Sequence, residues 1–384
     1  MRRVHRSDEI IEQHFLSHGG GLARGPLGVG RMMTPASASA RAGGRRPLRV
    51  GFVALTDAAP LAAAREQGFF ARQGMRVALS REVGWATIRE KIIYRELDAA
   101  QAPAAMLFAA TLGLGSVPCD VLTALVLNVH GNAITLSESL WQAGVRDATT
   151  LRGEARRRSG EHQLTFGVVF PFSSHHLLLR AWLESGGLRP DRDVRIVVVP
   201  PAQMYRNLAA GTIDGYCVGE PWNTLAVREG TGWCPAWSAA LAPGHLEKVL
   251  MVRADFAEKR ADEHRALVAA VADACAWCDE PANRAPLARL LAQRGYVNQD
   301  FRVIAPALLG RFDCGHGRIE AVPDFHVFHR GGANVPTVER GAALQAQLVG
   351  AGLIADRAAA DSILPQRLFR PDLYLRARPA TVPA

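Results

Sequence analysis

From Leu48 onward, short apolar, β-branched runs alternate with amphipathic helical stretches, and this alternation constrains the fold more than any other feature of the chain. LRVGFVAL (48–55) reads as a strand, PLAAAREQGFFARQG (60–74) as helical text, and MRVALSREV (75–83) as a second strand. LDAAQAP (97–103) and VLTALVLNV (121–129) follow as strands with helical text between them. LTFGVVF (164–170), VRIVVVP (194–200) and TIDGYCVG (212–219) are further strands. They are separated by the helices HHLLLRAWLESGG, stopped at Gly186-Gly187, and AQMYRNLAAG, stopped at Gly211. Near-continuous apolar strands of this kind belong in sheets covered by helices on both faces, so the fold class is α/β. Residues 262–279 read as one long helix, and the text after 300 as helical and loop-rich with a Pro-rich end.

The 384 residues are enough for two packed domains, and no run reaches the roughly 18 apolar residues of a spanning helix. The net charge of +9 is uneven: through Pro47 the chain carries eight Arg against Asp8, Glu9 and Glu12. Over half the excess thus sits on a Gly-, Ala-, Ser- and Arg-rich tail that shows no apolar period and reads as disordered, which argues against a nucleic-acid-binding domain. That tail lacks the apolar core of a signal peptide, so the expectation from the start as given is a cytoplasmic protein. The six cysteines do not suggest a disulfide framework. Cys275 and Cys278, with Cys314 and His316, can be drawn as a zinc site, but i,i+3 thiols on a continuous helical pattern more simply pack, and no metal or cofactor is expected.

Ligands of open α/β sheets sit beyond the carboxyl ends of strands, on loops that open helices. Trp85 stands at one such turn, with Thr87 read as the N-cap of the next helix; it either stacks on a planar ligand or caps a core. Asn128, His130 and Asn132 surround Gly131 in what reads as a donor-rich loop, or as a turn satisfied by its own amides. Ser173 and Ser174 precede a helix whose first turn holds His175, where free N–H groups suit an anion; a structural histidine is the other reading. Lys248 lies in an apolar run and is one of only three lysines beside 42 arginines; Lys91 and Lys259 lie in charged helical text. No G-x-S-x-G, P-loop or H-E-x-x-H is present.

These stretches also carry a family resemblance. Ala64–Val77 looks like the opening of type II periplasmic-binding-protein folds, in which a helix ends in Gly-Phe-Phe. Leu97–Pro103, Leu127–Thr135, Phe170–His175, Gln203–Trp222, Glu247-Lys248 and Cys278–Asn283 resemble the nitrate/bicarbonate-binding family (NrtA/CmpA type). The resemblance implies two α/β lobes, crossed twice by the chain, with an anion held in the cleft. Its boundaries would be a tail at 1–47, lobe 1 at 48–140, lobe 2 at 141–240, and lobe 1 again with C-terminal helices at 241–384. Carried over stretch by stretch, the ligand-binding residues would be Trp85, Asn132, His175, Gly219, Pro221 and Lys248. Asn132 stands where such proteins can use a longer amide, and after Ala333–Pro336 an expected aromatic-rich stretch is replaced by TVERGAALQAQ.

Nitrate is planar, singly negative and only accepts hydrogen bonds, so it calls for donors and no acceptors. Bicarbonate would want an acceptor, and in bicarbonate-binding relatives an acidic residue and a metal replace the lysine, so Lys248 points to nitrate or nitrite. With no export signal read, the chain looks like the cytoplasmic sensor branch (NasS type), whose partner is an RNA-binding antiterminator. The alternative is the receptor of an ABC importer, periplasmic and meeting a permease, if the start codon is misassigned. A second alternative is an enzyme on the same fold, such as a pyrimidine-precursor synthase, but the cysteine-rich stretch such enzymes use is not found. The expectation is a binding protein and no enzyme, with no direct nucleic-acid contact and no membrane span.

Overall fold

Each apolar run forms a strand whose ladder satisfies the backbone that its side chains take out of water. The computed structural model describes residues 46–158, 163–355 and 361–378. The basic tail lies outside the described residues as far as residue 45. In chain order the strands are β1 (Leu48–Val53), β2 (Val77–Glu82), β3 (Ala99–Pro103), β4 (Val121–His130), β5 (Asn132–Ser137), β6 (Thr165–Val168) and β7 (Arg195–Val198). They continue with β8 (Gly215–Gly219), β9 (Gly232–Trp237), β10 (Leu246–Arg253), β11 (Arg311–Gly315), β12 (Arg318–Ala321) and β13 (His326–Val327).

One sheet has the order β13-β4-β10-β3-β1-β2, a second has β7-β6-β8-β5-β9, and β11 pairs with β12 as a hairpin. In the first sheet β1 runs parallel to β2 and β3, while β10 is antiparallel to both β3 and β4. All residues of β3, β4, β8 and β10 are buried, as strands covered on both faces must be. One cover is the helix Ala261–Asp279, whose Leu267, Val271 and Cys275 pack with Leu125, Leu127 and Leu250. β5, β9, β10 and the three strands after residue 300 were not read from sequence; β11, β12 and β13 are short and hold few of the β-branched residues that mark strands.

The chain leaves the first sheet at the end of β4 and enters the second at β5, with Gly131 as the only residue between. His130 at φ 63° and Gly131 at φ 105° make the turn. The crossing therefore lies at Gly131 and not at residue 140, because β5 already pairs with β8 and β9. The return runs from β9 to β10. Residues 241–384 do not all rejoin the first sheet: Phe312 and Cys314 of the hairpin pack with Ala133 and Cys234, and His316 stacks 3.7 Å from Trp141.

A Cβ on Gly131 would sit 2.7 Å from the His326 ring, and its φ is one that side chains disfavour. Gly131→Ala is expected to lower stability by about 2–4 kcal/mol, read from urea unfolding midpoints, because strain and overpacking add. A loss within error of zero would show that the crossing is not tightly packed.

Candidate functional site

The two crossings bring four segments together at the seam between the sheets: the turn after β1, the β4–β5 junction, the turn after β8, and the start of β10. In a regular strand neighbouring side chains point to opposite faces. Glu247 and Lys248 nonetheless meet, because the register with β4 shifts on both sides of Lys248. Lys248 is fully buried, with Nζ 2.8 Å from Asp57 Oδ2 and hydrogen-bonded to Glu247 Oε1. The same ammonium stands 5.1 Å from the centre of the Trp85 ring.

Glu247 collects donors from both sheets. Asn132 Nδ2 donates to its Oε2 at 2.5 Å, Ser174 Oγ donates to the same oxygen, and His245 Nε2 lies 3.2 Å from it. His175 Nε2 is 3.6 Å from Oε1. Asp57 is fixed in turn by Gln101, whose Nε2 donates to Oδ1 at 2.5 Å while its Oε1 accepts the Val53 N–H. Asn132 faces Gly219 across β5 and β8. A Cβ on Gly219 would lie 3.3 Å from Asn132 Oδ1 and 3.4 Å from Asp57 Oδ2, so the missing side chain leaves a notch between oxygens of the two lobes. One residue on, the Glu220 carbonyl accepts the Thr56 N–H at 2.8 Å across the seam, and Pro221 flanks the helix Trp222–Arg228.

The sequence-derived residues Trp85, Asn132, His175, Gly219 and Lys248 thus stand around one buried centre, with Pro221 one turn away. Several details differ from the reading. The helix Trp85–Ile93 starts at Trp85 itself with Gly84 as its flank, so Thr87 is inside it and caps nothing. Trp85 is 1% exposed and part of the core, yet its Nε1 has no partner in the protein. Asn132 lies in a strand and not in a loop, because β5 begins there. His175 does fall in the first turn of the helix Ser174–Ser185, which Ser173 caps. Both of its ring nitrogens lack a hydrogen-bond partner, as does Asn132 Oδ1. Burying a polar atom without a partner is costly, and atoms of this kind also occur away from the seam, Trp233 Nε1 and His264 Nε2 among them.

The expectation of donors without acceptors is not met. Two carboxylates, Asp57 and Glu247, flank the one ammonium, and sequence reasoning could not choose them from 36 acidic residues. The only signals were that Asp57 ends the first apolar run and that Glu247 adjoins Lys248. Burial pushes Lys248 down, but Asp57 and Glu247 outweigh it and hold the ammonium above its usual value. Burial pushes Glu247 up, and Lys248, His175 and His245 more than reverse this, so it stays ionised. Burial pushes Asp57 up, beyond what Lys248 offsets. Burial also pushes His175 down to about 3, which leaves a neutral ring with one donor and one acceptor. Like charges about 4 Å apart repel by about 4 kcal/mol at an effective dielectric of ~20, so a further anion beside the ionised Glu247 carboxylate is strongly opposed.

The cysteine group drawn from sequence does not assemble. Cys275 and Cys278 are buried against the first sheet, while Cys314 packs with the second. Among the described residues no cluster of three or more His, Cys, Asp or Glu is placed to hold a metal ion. Nor is any described helix long and apolar enough to cross a membrane.

Two sheets joined by two crossings, with a polar site at the seam, define a periplasmic-binding-protein fold. The structure superposes on the crystal structure of the periplasmic nitrate-binding protein NrtA from Synechocystis PCC 6803 with a TM-score of 0.83. That match has 28% identity and covers 88% of this chain and 89% of that one. The alkanesulfonate-binding protein SsuA from Xanthomonas axonopodis shares the fold, with a TM-score of 0.61 at 17% identity over 86% of this chain and 99% of that one. A family model described as the NMT1-like family matches residues 41–292. The nitrate/nitrite binding protein NrtA of Synechococcus elongatus is 34% identical over 76% of this chain and 68% of its own length. The chain therefore belongs to the NMT1-like family and is a relative of the nitrate/nitrite-binding NrtA proteins. It is also 40% identical, over 85% of its length, to the nitrate import ATP-binding protein NrtC of Synechocystis, of which it spans about half, 49%.

Glu220 is buried with Oε1 unpaired, and burial pushes its carboxyl from 4.5 to about 7. The folded state thus holds a proton that the unfolded chain has released, and stability falls as pH rises from about 4.5 to about 7. Glu220→Gln is expected to remove this slope: the stability difference, wild type minus variant, should decrease across that window and be flat above it. A difference that does not change with pH would place Glu220 in a wetter site.

Proposed function

We propose that this chain binds nitrate or nitrite between its two sheets and reports the anion as a cytoplasmic sensor, without catalysing a reaction. The observation that carries the binding claim is the convergence of Trp85, Asn132, His175, Gly219 and Lys248 on one buried centre that both lobes build. An indole N–H, an amide, an imidazole and an ammonium are the groups a planar oxyanion needs, and the unpaired Trp85 Nε1 and His175 nitrogens have capacity to spare. Likeness to proteins named for binding nitrate and nitrite supports the ligand.

The sensor role extends the resemblance of the sequence to the cytoplasmic sensor branch (NasS type). Ligand-dependent closure would then alter a lobe surface seen by a partner, for which an antiterminator of nitrate assimilation is the proposed candidate. A ligand shifts such an equilibrium only by its difference in affinity for the two states. The second reading, a receptor that delivers the anion to an importer's permease, is favoured by the similarity to NrtA along most of the chain. A nitrate-dependent loss of antiterminator binding supports the sensor; binding to a permease complex supports the receptor.

Calorimetric titration with nitrate, nitrite and bicarbonate tests the ligand. Bicarbonate belongs in the set because Asp57 and Glu247 offer acceptors to a protonated oxyanion. Nitrate or nitrite is expected to bind, and His175→Ala to weaken it by about tenfold or more, the cost of one lost charge-assisted hydrogen bond. No heat with any of the three, in folded protein, would end the oxyanion reading.

A further inference from the structure

The donors assigned to the anion already hold a carboxylate. A carboxylate, like nitrate, is planar, singly negative and able only to accept hydrogen bonds. Glu247 presents such a group at the seam, fully buried, to Asn132, Ser174, His245 and Lys248, with His175 at 3.6 Å. Asn132, His175 and Lys248 are the residues that the sequence assigns to the ligand. Asn132, Ser174 and His175 come from the second lobe and Glu247 from the first, so the contacts join the lobes as a ligand would.

We infer that Glu247 is a tethered stand-in for the oxyanion, and that ligand binding is an exchange in which its carboxylate gives up these donors. The inference rests on the oxyanion reading of the site. It follows from charge as well as geometry: Lys248 is already shared between Asp57 and Glu247, so an incoming anion finds no free counter-charge unless one carboxylate leaves. The exchange makes affinity lower than the donor set alone would give. A threshold set in this way suits detection of an abundant anion better than scavenging of a scarce one.

The test is titration of the full chain and two variants with nitrate and with formate, each protein checked for folding by circular dichroism. Glu247→Gln keeps the size and removes the charge, and is expected to bind nitrate at least about tenfold more tightly than the parent, as one relieved charge repulsion predicts. Glu247→Ala opens the place of the carboxylate and is expected to take up formate, to which the parent is indifferent. If Glu247→Ala does not fold, Glu247→Gln decides alone. Nitrate affinity unchanged or weaker in folded Glu247→Gln would overturn the inference and make Glu247 a support that orients Lys248. Formate uptake by Glu247→Ala, with no nitrate response in any of the three proteins, would uphold the stand-in and overturn nitrate as the ligand.

Discussion

A lysine ammonium with no access to water must be paired, since an isolated buried charge costs far more than a domain's net stability. Lys248 meets this demand with two carboxylates from different parts of the chain, Asp57 after β1 and Glu247 in its own strand. Asp57 is then held by Gln101 of β3, and Glu247 by Asn132 and Ser174 of the second lobe. One ion trio thereby ties the turn after β1, the bulged strand β10 and the opposite lobe into a single unit. Removing one member of such a buried group typically costs about 3–5 kcal/mol, because the others are left uncompensated. The seam is therefore a place where charge, and not apolar packing alone, sets how the lobes meet.

The same trio links fold to role. The proposed oxyanion reading calls for donors, and this chain has them, but with acceptors built in beside the ammonium. On that reading, the response of the site would depend on what its own carboxylates do when a ligand arrives. Both crossings pass close by: Gly131 precedes Asn132, and the return strand carries Glu247 and Lys248. His130 accepts the Gly244 N–H at 2.6 Å, pinning the two crossing segments to each other. The bonds of Glu247 thus lie beside both crossings between the lobes.

Much of the architecture was legible because buried strands leave long apolar runs and helices leave a periodic face, as in LTFGVVF and HHLLLRAWLESGG. His175 and Lys248 stood out for physical reasons, one at a helix start and the other a charge in an apolar run. Asp57 and Glu247 did not, since nothing local separates a buried carboxylate from the many solvated ones. Asn132 was read as part of a loop because Asn and Gly around His130 imitate turn chemistry, whereas two residues at positive φ carry one strand directly into the next. The hairpin β11–β12 escaped because its strands are short and partly exposed. What the sequence lacked was the long-range pairing that gathers residues 57, 132, 175 and 248.

The measurement that bears most directly on an oxyanion held at this seam is a crystal structure of the protein with nitrate bound. The account predicts planar three-oxygen density within hydrogen-bonding distance of Lys248 Nζ and His175, beside the Trp85 ring, with the Glu247 carboxylate moved from its present partners. Nitrate found only on the protein surface, with Glu247 still bonded to Asn132, Ser174 and Lys248, would contradict it.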